Sequence, residues 1–273
     1  MAKKALNEMS FLDHLEELRW LLVRSSVAIV IMGIVSYFFA DYIFSDLIFG
    51  PTDPSFITYR FFCEASHYLG FADSICITEL NFIIQNTQME GQVNIFVWVC
   101  ITAGFILAFP YILWELWKFI SPALYEKEKK NAKHFIFVAS ILFFLGVLFG
   151  YYVIVPMSVN FLATFSISSV VKNQFSIDSY VSMVKTAVIA CGLYFELPII
   201  IYFLTKLGLV GPNFLRKYRK YAVVIILIIA AIVTPPDVVS QITVAVPMMI
   251  IYEGCIWISA VVEKNKKKDE QTS

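Results

Sequence analysis

Charged residues, glycine, proline and histidine are all scarce in this chain, and each scarcity excludes a class of protein. Asp, Glu, Lys and Arg make up 15% of the 273 residues, against about 25% in a soluble domain. With 11 Gly and 10 Pro, the chain is neither fibrous nor disordered. Acidic and basic residues number 21 each, so the basic domain typical of nucleic-acid binding is missing.

Motifs that carry enzyme chemistry are missing as well. The sequence contains no HExxH, P-loop, CxxC or glycine-rich nucleotide fingerprint. Its histidines, His14, His67 and His134, lie in three separate segments. We therefore predict no metal site, no Ser-His-Asp centre and no cofactor, and nothing indicates an enzyme.

Apolar residues are abundant instead. They make up 59% of the chain, and its mean hydropathy is +0.74. A soluble core of this size could not bury that much apolar surface. Six apolar stretches stand out, at about 20–40, 94–117, 134–155, 180–205, 221–233 and 238–259. They lack the period-2 alternation of barrel strands, so helices must satisfy the backbone in lipid. This predicts an all-α integral membrane protein with six transmembrane helices in a single membrane domain.

The fifth stretch is unusually short. Residues 221–233 provide 13 residues before Thr234-Pro235-Pro236, a helix of about 20 Å against a hydrocarbon core of about 30 Å. Such a helix must thin the bilayer locally or be shielded by a partner.

Basic residues indicate the orientation. Lys and Arg concentrate in four segments, 3–24, 118–133, 206–220 and 264–268. The alternating segments carry only Arg60 and Lys172, with Lys185 near the start of the fourth stretch. The positive-inside rule then predicts cytoplasmic N and C termini, an outside loop over 43–93 and a cytoplasmic tail over 260–273. No cleavable signal peptide is evident, because the first stretch is long and follows acidic residues.

Two of the five cysteines lie in the predicted outside loop. Cys63 and Cys76 are 13 positions apart, and an oxidising compartment would allow a disulfide between them. The alternative is two free buried thiols. Cys100, Cys191 and Cys255 fall in apolar stretches, where cysteine packs as a small apolar residue.

Two acidic segments adjoin predicted spans on the cytoplasmic side. In the first, Ser10 and Asp13 are typical of a helix cap, followed by His14-Leu15-Glu16-Glu17-Leu18-Arg19 on an interfacial helix. In the second, Ser121 and Pro122 start a helix that carries Glu126 and Glu128 in its first turns. The alternative in both cases is structural: solvated acids on an anchoring helix, or acids that stabilise a helix start.

Glu196 lies in the middle of the fourth stretch. A charge at that depth costs about 2.5–3.5 kcal/mol on insertion scales. Pro198 cannot donate a backbone hydrogen bond to the carbonyl of Tyr194, so the helix should bend beside the carboxyl. A polar partner or a proton path is the functional interpretation, and an internal hydrogen bond to a neighbouring helix is the structural one.

A turn and two further acids complete the candidate set. Thr234-Pro235-Pro236-Asp237 ends the fifth stretch, and Asp237 can cap the sixth. Glu115 and Glu253 lie near span ends, where each could simply reach the inner interface.

At these residues the chain resembles the TatC family, the polytopic subunit of the twin-arginine (Tat) protein translocase. The resemblance covers about residues 10–260 and rests on four segments in the family's order and spacing. They are HLEELR (14–19), FISPALYEKEK (119–129), FELP (195–198) and TPPDVVSQ (234–241).

The resemblance implies a cupped six-helix bundle in the bacterial cytoplasmic (inner) membrane. It implies signal-peptide binding at Glu17, Glu128, Arg19 and Phe119, and proton-motive-force-driven export of folded proteins. The implied partners are twin-arginine signal peptides, the single-span subunits TatA and TatB, membrane lipid and further copies in a multi-copy complex. Glu196, Pro198 and Asp237 would belong to the sites that meet TatA or TatB.

Some positions depart from the family's pattern. Leu21 stands where a second basic residue often follows the first motif, and Glu128-Lys129 replaces Glu-Arg. Glu115 stands where a neutral polar residue is expected. The alternative function is a proton-coupled small-solute transporter using Glu196, which would more often show inverted repeats and two broken helices.

Overall fold

The computed structural model describes residues 11–68, 76, 80, 82–121, 132–168, 172–234 and 238–272. The long helices in the first half of the chain are α1 (Phe11–Phe38), α2 (Ile57–Tyr68), α3 (Gly91–Ile120) and α4 (Ala132–Phe149). In the second half they are α5 (Val155–Thr164), α6 (Ile177–Tyr194), α7 (Leu197–Lys206), α9 (Arg219–Val233) and α10 (Val238–Thr272), and the six-residue helix α8 (Pro212–Lys217) lies between α7 and α9. Short helical segments cover Ala40–Tyr42, Ile43–Ile48, Gly50–Thr52 and Gly150–Ile154.

Five helical segments in the described part of the chain are long and apolar enough to cross a membrane. They are His14–Phe38, Gly91–Ile120, Phe135–Thr164, Ile177–Lys206 and Gln241–Lys266. The 15 residues of α9 form the short sixth helix, about 22 Å long at 1.5 Å per residue. The prediction of an all-α membrane protein is confirmed. The predicted short helix at residues 221–233, the fifth apolar stretch along the chain, is confirmed as α9.

Two helices extend beyond their apolar stretches. The third span continues past residue 155 through α5 to Thr164, because Pro156 stands in the first turn of α5, where proline is tolerated. The last helix continues to Thr272, through the segment that the sequence marks as a tail. The helix start predicted at Pro122 lies outside the described residues.

The segments that precede α3 and α6 also contain a small sheet that the sequence pattern does not predict. β1 (Ile83–Gln85) pairs in parallel with β2 (Gln174–Ser176), with Ile84 opposite Phe175. The side-chain amide of Gln85 donates to Gln174 over 3.0 Å. Each strand has three residues, too few for a period-2 pattern to be visible in the sequence.

Contacts group the chain into two compact units. The first consists of Met1–Phe44 and Gln92–Ile141, and the second of Ser45–Gly91 and Leu142–Ser273. A single membrane domain therefore stays a prediction.

Close backbone contact joins α1 to α3 in the first unit. A Cβ atom on Gly104 would lie 2.6 Å from the Gly33 nitrogen and from the Ile29 carbonyl oxygen. Small residues allow such approach between helices in lipid, where dispersion contacts replace the hydrophobic effect as the source of association. This crossing holds α1, which carries the first acidic segment, against α3, whose end leads into the second.

The second unit uses the same device between α4 and α6. A Cβ atom on Gly146 would lie 2.5 Å from the carbonyl oxygen of Cys191. In the same unit, the hydroxyl of Tyr59 lies 2.9 Å from the Pro51 carbonyl oxygen and 3.1 Å from that of Pro156. Burial raises the pKa of this hydroxyl, so it stays protonated and able to donate.

Candidate functional site

A cavity of about 440 Å³ opens in the first unit between the N-terminal half of α1 and the C-terminal end of α3. It is lined by Glu16, Glu17, Trp20, Leu21, Arg24, Glu115, Lys118 and Phe119. Helical spacing explains the contribution of α1, because residues three and four positions apart lie on one face. Acidic, basic and aromatic side chains therefore meet at one place.

Two residues that the resemblance assigns to signal-peptide binding lie in this lining. Glu17 is exposed, so its carboxylate is available to a ligand. Phe119 stacks on the His14 ring with 4.4 Å between centroids and an interplanar angle of 23°. This stacking joins the end of α3 to the start of α1 and gives the cavity an aromatic border.

The other two assigned residues fall elsewhere. Arg19 is not among the lining residues, and its guanidinium carbon lies 5.7 Å from the centroid of the Trp20 ring, within cation–π range. Glu128 lies outside the described residues, as does the rest of its segment from Pro122.

Glu115 is the feature of this cavity that the sequence pattern left unexplained. Its side chain is 3% exposed, and its two oxygens are held separately. Arg24 donates from Nη1 to Oε2 over 3.2 Å, and Lys118 donates from Nζ to Oε1 over 2.7 Å. A buried carboxylate needs such opposite charges, so Glu115 is ion-paired inside the cavity wall.

Part of this arrangement follows from sequence spacing. Glu115 and Lys118 are three positions apart at the end of an apolar helix, which is the spacing of an intrahelical ion pair. The contribution of Arg24 carries no such local signal, because 91 positions separate it from Glu115.

Glu196 forms a second candidate site, in the other unit. The helix is interrupted between Tyr194 and Leu197, with Pro198 in the first turn of α7, which is the place where the sequence predicts a bend. The Glu196 side chain is 7% exposed, and among the described residues no hydrogen-bond donor reaches its buried Oε1.

The surroundings of Glu196 are otherwise well ordered by hydrogen bonds. The Tyr194 hydroxyl donates to the Met248 carbonyl over 2.9 Å, and Thr205 and Ser259 pair through their hydroxyls over 2.9 Å. These bonds tie α6 and α7 to α10. A buried carboxyl oxygen without a hydrogen-bond partner among the described residues suits a polar group supplied from outside the chain.

The turn after α9 is only partly described. The Thr234 hydroxyl donates to the Ala230 carbonyl over 2.8 Å, and the Gln241 amide donates to the Leu227 carbonyl over 3.1 Å. Asp237 and its two preceding prolines lie outside the described residues. Glu253 accepts a 2.8 Å hydrogen bond from Arg219, and this ion pair joins α10 to α9.

In the predicted outside loop, Cys63 of α2 is joined to Cys76 by a disulfide, with 4.5 Å between the Cα atoms. The Nε2 atom of His67 lies 3.6 Å from the Cys76 sulfur. Among the described residues, these three form the one group of donors close enough for a metal ion. Metals bind thiolates, so two sulfurs joined to each other are not ligands.

We expect this disulfide to form in the cell, and differential alkylation tests it. In denaturant without reductant, Cys100, Cys191 and Cys255 should react, since they are free, and prior reduction should raise the count to all five. As a control, Cys63→Ser should give the same count in both conditions. Alkylation of all five cysteines without reductant would contradict the expectation.

Comparison with known proteins identifies the family. The family model for the Sec-independent protein translocase protein (TatC) matches residues 13–247. The TatC of Blattabacterium sp. subsp. Periplaneta americana (strain BPLAN) is 44% identical over 97% of this chain and 100% of its own length. The TatCy protein of Bacillus subtilis (strain 168) is 34% identical over 98% of this chain and 95% of its own.

A solved structure agrees with the sequence relatives. A crystal structure described as the twin arginine translocase receptor TatC superposes with a TM-score of 0.72 at 31% identity. The match covers 91% of this chain and 99% of that one. Family membership replaces the alternative of a small-solute transporter and confirms that the chain is not an enzyme. The chain belongs to the TatC family and is a multi-pass membrane component of the Sec-independent, twin-arginine protein translocase.

Proposed function

We propose that this chain binds the twin-arginine signal peptides of folded proteins and nucleates assembly with TatA and TatB for proton-motive-force-driven export. The observation that carries the proposal is the cavity between α1 and α3, which Glu17 and Phe119 both line. An exposed carboxylate beside an aromatic border suits a guanidinium followed by the apolar part of a signal peptide. Glu128, which the family resemblance implies for signal-peptide binding, would supply the second carboxylate.

The chemistry of the two partners explains a preference for arginine. A guanidinium can donate two parallel hydrogen bonds to one carboxylate, whereas an ammonium group acts as a point charge. Two adjacent arginines therefore match two carboxylates better than two lysines do.

The same family relationship supports the proposed location and assembly. We place the chain in the bacterial cytoplasmic membrane, with both termini in the cytoplasm because Lys and Arg concentrate in alternate segments. In that orientation the acidic cavity faces the compartment from which cargo arrives. TatA and TatB would meet the chain at Glu196, at Pro198 and at the turn that contains Asp237, within a multi-copy complex.

Peptide binding to the purified protein in detergent tests the receptor function. A labelled signal peptide with Arg-Arg should bind at least about tenfold more tightly than the same peptide with Lys-Lys, because an ammonium group cannot donate the two parallel hydrogen bonds that a guanidinium makes to one carboxylate. A third peptide with the two arginines moved apart keeps the charge and controls for it. Equal weak binding of all three peptides would contradict the proposed function.

A further inference from the structure

We propose that Glu115 is a third carboxylate of the signal-peptide site, and that Arg24 and Lys118 occupy it as internal cations until the peptide displaces them. This inference rests on the proposed function and adds to it a residue and a mode of selection. Glu115 differs from the neutral polar residue that the family resemblance leads one to expect at this position, so the mechanism concerns this chain in particular.

The burial of Glu115 makes a resident cation necessary. The carboxylate is 3% exposed, while Arg24 and Lys118 are 53% and 52% exposed. The acid is thus fixed in the cavity wall, and the two cations reach it from the exposed surface of the chain. Because a buried carboxylate is unstable without a counter-charge, one set of cations can leave only as another arrives.

Neither resident cation binds both oxygens of the Glu115 carboxylate. Each carboxylate oxygen receives one bond, from a different side chain. A peptide arginine could engage both oxygens at once through its planar fork. A peptide lysine would make the same single contact that Lys118 already makes. Its exchange for Lys118 would therefore add no hydrogen bond to the Glu115 carboxylate.

Each of the two resident cations also contacts an indole ring. The Arg24 guanidinium carbon lies 6.0 Å from the centroid of the Trp20 ring, and Lys118 Nζ lies 5.5 Å from that of Trp114. Cation–π attraction operates at these distances. Displacement from Glu115 therefore leaves each cation over an indole ring, which lowers the cost of the exchange.

The cavity also places Glu115 beside the proposed peptide contacts. Glu115 lines the same cavity as Glu17 and Phe119. Two carboxylates from two helices that are packed in direct contact at Gly104 thus border one space. Neighbouring arginines of one peptide could reach both.

Removing a resident cation should make the site easier to enter. We expect Lys118→Gln to tighten Arg-Arg peptide binding about two- to fivefold, the range for loss of one partly exposed ion pair. Glu115→Gln should weaken binding about tenfold or more, because a charged acceptor is lost. In the Glu115→Gln background, the gain from Lys118→Gln should disappear.

The double variant separates exchange from general electrostatics. If the gain from Lys118→Gln persisted without the Glu115 charge, removal of a nearby positive charge would explain it, and the exchange mechanism would be wrong. Lys220→Gln removes a lysine from α9, outside the cavity, and should leave affinity unchanged. Weaker or unchanged binding by Lys118→Gln would likewise overturn the inference.

Two further arms keep the inference testable. Should Glu115→Gln fail to fold, as judged by its elution in detergent, Arg24→Gln must tighten binding in the manner of Lys118→Gln, and failure to do so overturns the proposal. Wild-type protein without an Arg-Arg preference would overturn the proposed function and this inference together. A wild-type preference with no gain in either cation variant would overturn the inference alone.

Discussion

Replacement of Glu17 by alanine is expected to weaken twin-arginine peptide binding about 10- to 100-fold, the range for losing one charge-assisted hydrogen-bonded contact. Glu128→Ala should have an effect of similar size. The double variant should lose much less than the product of the two single effects, because both carboxylates act on one arginine pair. Titration of the labelled peptide against each purified variant measures all three constants.

A carboxylate outside the cavity provides the control for this experiment. Glu253→Ala removes an acid that is paired with Arg219 between α9 and α10, so it should leave peptide affinity unchanged. If the affinity loss of the double variant equalled the product of the two single losses, Glu17 and Glu128 would belong to separate sites. An equal loss of peptide affinity in Glu253→Ala would show that the effect comes from the net charge of the protein and not from a contact at the cavity.

The second large effect concerns assembly with the single-span subunits. Glu196→Ala should weaken co-purification of TatA and TatB about five- to thirtyfold, since a polar contact between helices in lipid is worth about 1–2 kcal/mol in model peptides. Glu196→Gln should retain much of the binding, because an amide still forms hydrogen bonds. Signal-peptide binding should persist in both variants.

A neighbouring substitution shows whether such a loss is specific. Tyr194→Phe removes the hydroxyl that donates to the Met248 carbonyl, two positions from Glu196. It disturbs local packing while leaving the carboxyl in place, so it should keep the partners bound. Unchanged co-purification with Glu196→Ala would show that the carboxyl has no part in assembly, and an equal loss with Tyr194→Phe would point to local loosening.

Most of the helical architecture follows from local properties of the sequence. Backbone groups in lipid must be satisfied within one segment, so long apolar runs leave helices as the outcome. The interruption beside Glu196 follows equally from a single residue, because Pro198 has no N–H to donate. The short length of α9 is also local in origin, because Thr234-Pro235-Pro236 ends its apolar run after 13 residues.

The ends of elements were less predictable. Pro156 marks a boundary when the sequence is read alone, yet the span continues through α5. The extension of α10 to Thr272 crosses residues that are polar and basic. Hydropathy reports which residues suit lipid, whereas a helix continues for as long as its backbone bonds are favourable, in water as well as in lipid.

The sequence by itself determined the class of protein and the number of apolar spans, and its resemblance to the TatC family singled out Glu17 and Phe119, which both line the cavity between α1 and α3. Only the tertiary structure decided the state of Glu115, since its partner Arg24 lies 91 positions away, and the pairing of β1 with β2 across a similar separation. The physical reason is that sequence patterns reflect interactions between residues that are close along the chain. Hydrophobic periodicity and proline chemistry act within a few turns, but an ion pair between two helices depends on how closely their backbones can cross, which here is permitted by Gly33 and Gly104.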